Sequence, residues 1–404
     1  MPFQIALSGL NAASADLNVT ANNIANVNTT GFKQSRAEFA DLYPISAYGL
    51  AATATGVGVR TARVAQQLAQ GSINTTGNTL DLAISGEGFF TLSDNGAMVY
   101  TRAGAFGTDK SGYVVNAAGQ RLQVFPPTSG GGFDSARLAD LQLSTTTNPP
   151  QASASITANV NLPSSASAPA TTPFDANDAT SYNDTRSVQV YDSLGTAHQA
   201  SMYFVKGAAA NTWDVHVQVD GTDVGTSTMS YSDSGTLLTP AGGKITLPAY
   251  TPGTGAAAMN LTLDVGASTQ YGDEFAVNSL KQDGYTTGSL TTIEITAEGV
   301  VQARYTNGQA TPLGEIALAR FPNPQGLQQL GDTSWGETFA AGQPIRGSGD
   351  SPNFGAIQSG ALEGSNVDLS AQLVNMITAQ RNYQANAQMI STADQITQTI
   401  INIR

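Results

Sequence analysis

The side chains that could perform chemistry are few and scattered in this sequence. The chain has two histidines and no cysteine, which excludes thiolate metal sites, disulfides and cysteine nucleophiles. His198 has no nearby carboxylate at ligand spacing, and His216 falls on the polar face of a predicted strand. A zinc site needs three or four converging ligands, and two scattered histidines do not supply them. The sequence therefore predicts no metal site, no cofactor, no catalytic residues and no enzymatic activity.

A glycine pair and a lone arginine also invite a chemical explanation. Gly86-Glu87-Gly88 has the glycine spacing of a phosphate loop, but the Gly-Lys-Ser/Thr ending is missing and no helix is predicted after it. We interpret it as a tight turn between strands. Arg102 lies in an otherwise apolar strand, where a structural ion pair is expected rather than a functional site.

Composition narrows the class of protein and of partner. Charged residues are 12% of the chain, about half the usual share. Lys and Arg number 17 against 30 Asp and Glu, which gives a net charge of −13. Such a chain has no basic patch for phosphates, so nucleic acid is not expected as a partner. No run approaches the roughly 20 apolar residues of a membrane span, so no membrane insertion is expected. No signal peptide is visible either.

Both ends of the chain carry a helical pattern. The stretch from Val367 to Arg404 contains no Gly or Pro, and Ser365 or Asn366 could cap its start. Apolar or small residues recur three or four apart in both stretches, as on one face of a helix. At the N-terminus they are Phe3, Leu7, Leu10, Ser14, Leu17, Ala21 and Ile24; at the C-terminus they are Leu369, Leu373, Met376, Ala379, Tyr383, Ala387, Ile390, Ala393, Ile400 and Ile403.

The opposite faces of both helices are polar but almost uncharged, so neither helix looks suited to bulk water alone. Packing on an ordinary globular body is the commoner arrangement for a single amphipathic helix. Two charge-poor helices at opposite ends favour packing on each other, as a coiled coil, and on copies of themselves. The predicted assembly interface comprises Phe3, Leu7, Leu10, Leu17, Asn23, Ile24, Asn26, Leu369, Leu373, Met376, Tyr383, Ile390 and Ile400.

The middle of the chain is predicted to be β structure in two nested parts. Short apolar runs separated by Gly, Asn and Asp predict strands, and Asn307-Gly308 is the strongest hairpin signal. We expect a mixed, mainly β fold with two antiparallel β domains, the outer one inserted in the inner one, plus the paired terminal helices. The predicted parts are a helical domain (1–30 and 366–404), a connector (31–70), an inner β domain (71–147 and 285–365) and an outer β domain (148–284).

Several motifs in order resemble one known family. Asn23-Ile24-Ala25-Asn26 followed by Thr30-Gly31-Phe32-Lys33 is similar to the N-terminal signature of bacterial flagellar rod and hook proteins. Further blocks of that family resemble the segments 85–90, 100–106, 314–321 and 362–369, although Gly364 departs from the more helical residue expected there. The resemblance covers the first 145 residues and about the last 115.

The resemblance is strongest to the hook members of that family, and it implies a structural role. A tube of many identical subunits would join the motor and rod to the filament and bend while transmitting torque, as a universal joint. The terminal helices would line a central export channel, and the β domains would form outer layers. Expected partners are other copies of the chain, the distal rod protein, the hook cap, the hook–filament junction protein and the flagellar export apparatus. The expected location is extracellular, in the flagellar hook, after export without a cleaved signal peptide.

Two alternatives remain at this stage. A distal rod subunit of the flagellum would have similar ends, but we expect it to lack the large middle domain. A β-rich surface adhesin would belong to another class and would present Trp213 or Trp335 as an exposed glycan platform. Buried aromatic side chains are the expected state of both tryptophans.

Overall fold

A computed structural model describes residues 2–43, 56–143 and 147–402. The chain divides into two compact units. The first comprises Met1–Thr145, Thr292–Arg304 and Ala310–Arg404, and the second comprises Thr146–Thr291 and Tyr305–Gln309. Most of the second unit is therefore a single segment that interrupts the first in sequence.

The two predicted terminal helices are present. Helix α1 spans Pro2–Ala25 and helix α2 spans Leu369–Asn402. Asp368 caps α2, because its Oδ1 accepts hydrogen bonds from the backbone N–H groups of Ser370 at 2.8 Å and Ala371 at 3.1 Å. The expected capping by Ser365 or Asn366 was wrong. The carboxylate of Asp368 reaches the free N–H groups of the first turn, whereas Asn366 is engaged elsewhere.

The segment predicted as an extended connector contains a long hairpin. Strands β1 (Ser35–Leu42) and β2 (Gly58–Gln66) pair antiparallel, with a register shift between Glu38 and Phe39. Residues 44–55 of the connector lie outside the described residues. The hairpin packs beside α1, where the backbone N–H of Val59 donates to Ser8 Oγ at 3.1 Å.

The remaining strands are short and follow the chain in three groups. The first group is β3 (Ile73–Thr75), β4 (Leu82–Ser85), β5 (Phe89–Asp94), β6 (Ala97–Thr101), β7 (Gly107–Thr108), β8 (Val114–Val115), β9 (Arg121–Phe125) and β10 (Ala139–Asp140). The second is β11 (Ser155–Pro163), β12 (Asp184–Tyr191), β13 (Ala197–Lys206), β14 (Thr212–Val219), β15 (Thr222–Tyr231), β16 (Leu237–Thr239), β17 (Lys244–Thr246), β18 (Thr262–Asp264), β19 (Thr269–Tyr271) and β20 (Ala276–Gln282). The third is β21 (Leu290–Ile295), β22 (Val300–Tyr305), β23 (Ala310–Ile316), β24 (Leu318–Arg320), β25 (Gln328–Gly331), β26 (Ser334–Gly336), β27 (Ile345–Gly347), β28 (Ala356–Ser359) and β29 (Ala361–Glu363).

The first and third groups interleave in the first unit. Among the described residues, thirteen strands form one sheet whose main path is β21-β22-β23-β9-β5-β6-β26-β25. Strands β3 and β4 pair with β29 and β28, respectively. The hydrophobic core of the first unit includes Phe90, Leu92, Leu122, Val301 and Ile316, which are all fully buried. Strands from before and after the interruption thus complete a common sheet and core.

Two turn predictions in the first and third groups are confirmed. Gly86-Glu87-Gly88 links β4 to β5, with φ near +120° at both glycines. Asn307-Gly308 closes the β22–β23 hairpin, where the N–H of Tyr305 donates to the carbonyl of Gln309 at 2.9 Å and Gly308 has φ +78°. A left-handed glycine lets the two strands meet without strain.

The second unit contains two five-stranded sheets that share one core. One sheet has the order β12-β13-β14-β15-β16, and β11 lies at the centre of the other. The predicted alternation along β14 is confirmed: Trp213, Val215, Val217 and Val219 are buried and the residues between them are not. The pairing is antiparallel except that β11 runs parallel to both β18 and β19. The expectation of antiparallel pairing was wrong for these two pairs. The β12–β16 sheet lies between β11 and β18 in the chain and provides the long crossover that parallel strands require.

The expectation that His198 has no nearby carboxylate was also wrong. Its ring lies between Asp192 and Asp220, at 3.3 Å and 2.6 Å. Asp192 precedes the turn into β13, and Asp220 is brought alongside by the β13–β14 pairing. Sequence spacing alone does not reveal a neighbour supplied by strand register. Within the described residues, no group of three His, Asp or Glu side chains is placed to hold a metal ion.

Neither helix in the described part of the chain is both long and apolar enough to cross a membrane.

Candidate assembly interface

The two terminal helices pack side by side in opposite directions. Near the end of α1, the Asn23 side-chain amide donates to Gln372 Oε1 in the first turn of α2 at 3.2 Å. Near the start of α1, Gly9 lies against Asn386. Going back from position 23 to 9 along α1 corresponds to going forward from 372 to 386 along α2. The constant register describes an antiparallel pair.

The face of α1 that this register places against α2 consists of small and polar residues spaced three and four apart. It comprises Ala6, Gly9, Ala13, Asp16, Thr20 and Asn23. Ala6, Ala13, Thr20 and Asn23 are buried, and burial raises the pKa of Asp16. On α2, the helix face that contains Gln372 and Asn386 also carries Met376, Ala379, Tyr383, Ile390 and Ala393. We call these two rows together the helix seam.

The large apolar row predicted on α1 lies one position beyond the seam, which is about 100° around the helix. Phe3 and Leu7 are exposed, at 46% and 41% of their full surface. Leu10, Leu17 and Ile24 are half-buried, on the helix that also packs against β1 and β2. The row is therefore not the contact to α2, and much of it remains uncovered in one chain.

The predicted row on α2 is divided between two faces. Met376 and Ile390 are half-buried on the seam, and Tyr383 is on the same row with 38% exposure. Leu369 and Leu373 are exposed, at 44% and 45%. The side chain of Ile400 and residue Ile403 lie outside the described part. Further exposed apolar residues that the sequence interpretation missed are Val374, Ile377, Met389, Ile396 and Ile401.

We call the exposed apolar residues of both helices the open stripe; it comprises Phe3, Ile5, Leu7, Leu369, Leu373, Val374, Ile377, Met389, Ile396 and Ile401. Apolar patches of this kind mark interaction sites on soluble chains. The remaining exposed surface of α2 is polar and carries only two charged residues, Arg381 and Asp394. Thr378, Thr392, Thr397 and Thr399 donate their hydroxyl protons to the carbonyl four residues earlier, so these hydroxyls are satisfied within the helix.

Register also determines the ends of the helix pair. Position 2 of α1 corresponds to position 393 of α2, yet α2 continues to Asn402. Residues 394–402 therefore have no part of α1 beside them over about 13 Å. Ile396 and Ile401, which are 56% and 67% exposed, lie on this overhang.

A largely buried polar cluster joins the helices to the rest of the first unit. We call it the polar junction; it comprises Asn23, Lys33, Arg102, Glu363, Asn366 and Gln372. Glu363 is at its centre: Lys33 Nζ lies 2.5 Å from Oε1 and Arg102 Nη1 lies 3.1 Å from Oε2. The side chains of Lys33 and Glu363 are completely buried. The ion pair expected for Arg102 is confirmed.

The charges of the junction hold the backbone as well as each other. Lys33 donates to the carbonyl of Ala69, Arg102 donates to that of Gly86, and the N–H of Gly71 donates to Glu363. Burial lowers the pKa of both Lys33 and Arg102, and the neighbouring Glu363 opposes that change. A buried carboxylate with two cations specifies one arrangement, since separating any pair would leave a buried charge without a partner.

The two asparagines predicted as interface residues have different roles. Asn23 exchanges two hydrogen bonds with the backbone of Ser35, at 2.8 Å each, and so ties the end of α1 to the start of β1. Asn26 acts locally: its amide donates to the carbonyl of Asn22 and its Oδ1 accepts from Thr29. Asn366 accepts from the N–H of Gln34 and donates to the carbonyls of Gln67 and Ala69. The structure therefore brings Asn23 to the seam and does not bring Asn26 there.

Four family models match successive parts of the chain. They are described as the flagella basal body rod protein (residues 3–33), the flagellar hook protein FlgE/F/G D1 domain (83–172), the flagellar basal body protein FlaE D2 domain (161–285) and the flagellar basal body rod FlgEFG protein C-terminal (358–403). Together they cover nearly all of both terminal helices, most of the first group of strands and the second group, while residues 34–82 and 286–357 lie outside the matches.

Curated relatives match from end to end. The chain is 40% identical to the flagellar hook protein FlgE of Salmonella typhimurium and 39% identical to that of Escherichia coli K12, with all of both chains covered in each case. It is 32% identical to the FlgE of Borreliella burgdorferi over 98% of each chain.

A solved structure supports the fold. The crystal structure of Helicobacter pylori flagellar hook protein FlgE2 matches with a TM-score of 0.56 at 16% identity, covering 72% of this chain and all of that one. Full-length identity of this level, together with the ordered domain matches, shows that the chain belongs to the flagellar hook protein FlgE family.

Proposed function

We infer that this protein is a structural subunit of the bacterial flagellar hook that acts by assembling with copies of itself. The observation that carries this is the open stripe, the set of exposed apolar side chains on the paired terminal helices of a chain that matches hook proteins along its whole length. One chain leaves this stripe uncovered, and neighbouring copies would bury it. The matched relatives are hook proteins and not enzymes, in agreement with the structural role expected from the sequence.

We further propose a division of labour within the subunit. Residues 1–30 and 366–404 would form the inner wall of a tube and line an export channel, with 31–70 as a connector between neighbouring copies. Residues 71–147 with 285–365, and then 148–284, would form successive outer layers. The polar surface of α2, with only two exposed charges, Arg381 and Asp394, supports the channel assignment, because it offers passing chains little electrostatic attachment.

The proposed tube would act as a flexible universal joint that carries torque from the motor and rod to the filament. Its other partners would be the distal rod protein, the hook cap, the hook–filament junction protein and the export apparatus. The protein belongs to the flagellar hook, and we propose that it reaches an extracellular position there by export without a cleaved signal peptide.

The two alternatives lose their support. The domain match at residues 161–285 and the end-to-end similarity to hook proteins favour the hook over the distal rod. An adhesin would need exposed aromatic platforms, but Trp213 and Trp335 are buried, with 0% and 3% exposure.

Charge substitutions on the open stripe test this function. Leu7→Asp and Leu373→Asp place a carboxylate on residues that are exposed in the single chain, so the monomer should fold normally. In the assembly the charge would be buried without a partner, at a cost of several kcal/mol. We expect both variants to remain soluble and folded by circular dichroism and to form no tubes in electron micrographs.

Leu238→Asp is the matched control, since Leu238 is 60% exposed and lies in the second unit. It should still form tubes under the same polymerising conditions. Normal tubes from Leu7→Asp and Leu373→Asp would show that the open stripe is not the assembly surface.

A further inference from the structure

The second unit contains a histidine held between two carboxylates. His198 lies at the start of β13 and is 6% exposed. Asp192 follows β12, and its carboxylate is completely buried. Asp220 lies in the tight turn between β14 and β15. Two separate positions along the chain thus converge on one imidazole ring.

Both ring nitrogens face an acceptor. Nδ1 is 2.6 Å from Asp220 Oδ2, and Nε2 is 3.3 Å from Asp192 Oδ2. A neutral imidazole carries one N–H, so it would direct a lone pair at one of the two carboxylates. The imidazolium carries an N–H on each nitrogen and donates to both. The geometry therefore favours the charged form of His198.

Each carboxylate holds a loop in addition to the ring. Asp192 Oδ1 accepts from the backbone N–H groups of Leu194 and Thr196, at 2.9 Å and 2.8 Å. Its Oδ2 accepts from the hydroxyl of Thr254 at 2.8 Å. The arrangement ties the β12–β13 turn to the loop that contains Thr254.

Asp220 makes a similar set of bonds. Its Oδ1 accepts from the backbone N–H of Gln199 at 2.9 Å, and its Oδ2 accepts from the hydroxyl of Tyr250 at 3.3 Å. The Tyr250 ring also meets the His198 ring edge-on, with centroids 5.9 Å apart. The titratable groups that face His198 from neighbouring elements are therefore Asp192, Asp220 and Tyr250.

We propose that His198 is a pH-dependent clamp: its imidazolium holds the β12–β13 turn, the β14–β15 turn and the loop 250–254 together, and loss of its proton loosens all three. Deprotonation would leave a ring lone pair facing a buried carboxylate. The repulsion would act on Asp192 and Asp220, whose hydrogen bonds order these loops. The loosening would therefore be confined to this end of the second unit.

The pKa directions agree with this geometry. Burial disfavours the charged imidazole, but hydrogen bonds and charges from Asp220 and Asp192 outweigh it and raise the pKa of His198. Burial likewise opposes ionisation of Asp192, yet its hydrogen bonds from Thr196, Thr254, His198 and Leu194 lower its pKa to about 2. A raised histidine pKa stabilises the fold below the unfolded value of about 6.5, and this contribution is lost as pH rises through the folded pKa.

The chain supplies its own control. His216, the second of its two histidines, stacks on Phe174 with ring centroids 4.0 Å apart. Burial lowers its pKa, partly offset by Asp214 and Asp223. Its contribution to stability therefore has the opposite pH dependence: it is present above the unfolded pKa and is lost as pH falls through the lowered folded pKa.

The experiment is an NMR titration of the full-length chain labelled with ¹³C-histidine, with the two signals assigned from His198→Gln and His216→Gln. We expect His198 to titrate above about 6.5 and above His216. Hydrogen-exchange protection at Leu194, Thr196 and Gln199 should fall as pH rises through the His198 midpoint. It should lose this pH dependence in His198→Gln and keep it in His216→Gln.

Asp220→Asn provides a second route if His198→Gln does not fold, and it should lower the titration midpoint of His198. A His198 midpoint at or below that of His216 would overturn the proposal. So would unchanged pH dependence of protection in His198→Gln, or an unchanged His198 midpoint in Asp220→Asn.

Discussion

Gly9 of α1 leaves just enough room for the side chain of Asn386 in α2: a Cβ atom at position 9 would lie 2.5 Å from Asn386 Oδ1. The absence of a side chain at Gly9 allows the two helix backbones to approach closely at this point. With the Asn23–Gln372 hydrogen bond at the other end, this contact fixes both the direction and the register of the pair.

Engineered cysteines test that register, because the natural chain has none. Gly9→Cys with Asn386→Cys should form an intrachain disulfide on oxidation of dilute protein, since the two side chains point at each other within bonding reach. The measurement is gel mobility and intact mass with and without reductant.

Asn11→Cys with Asn386→Cys is the matched control, because Asn11 is exposed and lies about 200° around the helix from Gly9. It should remain reduced within the chain. Efficient bonding of the control, or none in the Gly9 pair, would contradict the antiparallel register.

Removing the central carboxylate of the polar junction should destabilise the first unit. Glu363→Ala would leave Lys33 and Arg102 buried without their partner, and breaking a buried ion pair in this way costs about 3–5 kcal/mol. Urea unfolding followed by tryptophan fluorescence measures the change. Glu87→Ala is the comparison, because the Glu87–Arg320 pair at 3.0 Å is largely exposed; it should change stability by at most about 1 kcal/mol. Equal effects of the two substitutions would argue against a structural role for the junction.

Two nearby glycines should respond differently to alanine. A Cβ at Gly104 would overlap the carbonyl oxygen of Leu82, which is backbone and cannot turn away. Gly104→Ala should therefore cost about 3 kcal/mol or more. A Cβ at Gly107 meets nothing within 4 Å, so Gly107→Ala should be neutral or slightly stabilising. Thermal unfolding of the two variants checks this, and a Gly104→Ala protein as stable as the wild type would contradict the packing described.

The middle segment should be removable. Asn148 and Gly288 exchange backbone hydrogen bonds at 2.8 Å and 3.1 Å, so the chain enters and leaves the segment at one place. We expect a variant with residues 149–287 replaced by a short Gly-Ser linker to fold and to form thinner tubes of altered curvature. Electron microscopy decides it. A folded, soluble product that never polymerises would show that the outer domain provides essential contacts between copies.

The helices could be predicted from the sequence, but the face that joins them could not. Leu7, Leu17 and Leu373 mark a helical row by hydrophobicity, and that signal correctly indicated amphipathic helices. The actual seam uses Ala13, Thr20 and their neighbours, which a hydrophobic pattern does not distinguish from an ordinary solvent face. Close packing selects small residues, and the large ones are left for contacts that one chain does not contain.

The buried polar contacts were beyond the sequence for a different reason. Asn23 and Gln372 are 349 positions apart, and Lys33 and Glu363 are 330 apart. No local spacing relates such residues. Arg102 was the exception, because a charge within an apolar strand implies a partner even when that partner cannot be named.

The unequal length of the two helices gives the subunit a direction. Beyond the first residue of α1, residues 394–402 of α2 continue as a single helix. One end of the helix pair is therefore a single-helix overhang, and the other end is not. A symmetric pair of copies covers this overhang only where the two overhangs meet. A head-to-tail arrangement covers it with the next copy and can continue as an open filament. A column built from such units has two unlike ends, and addition of a subunit at one end is a different reaction from addition at the other.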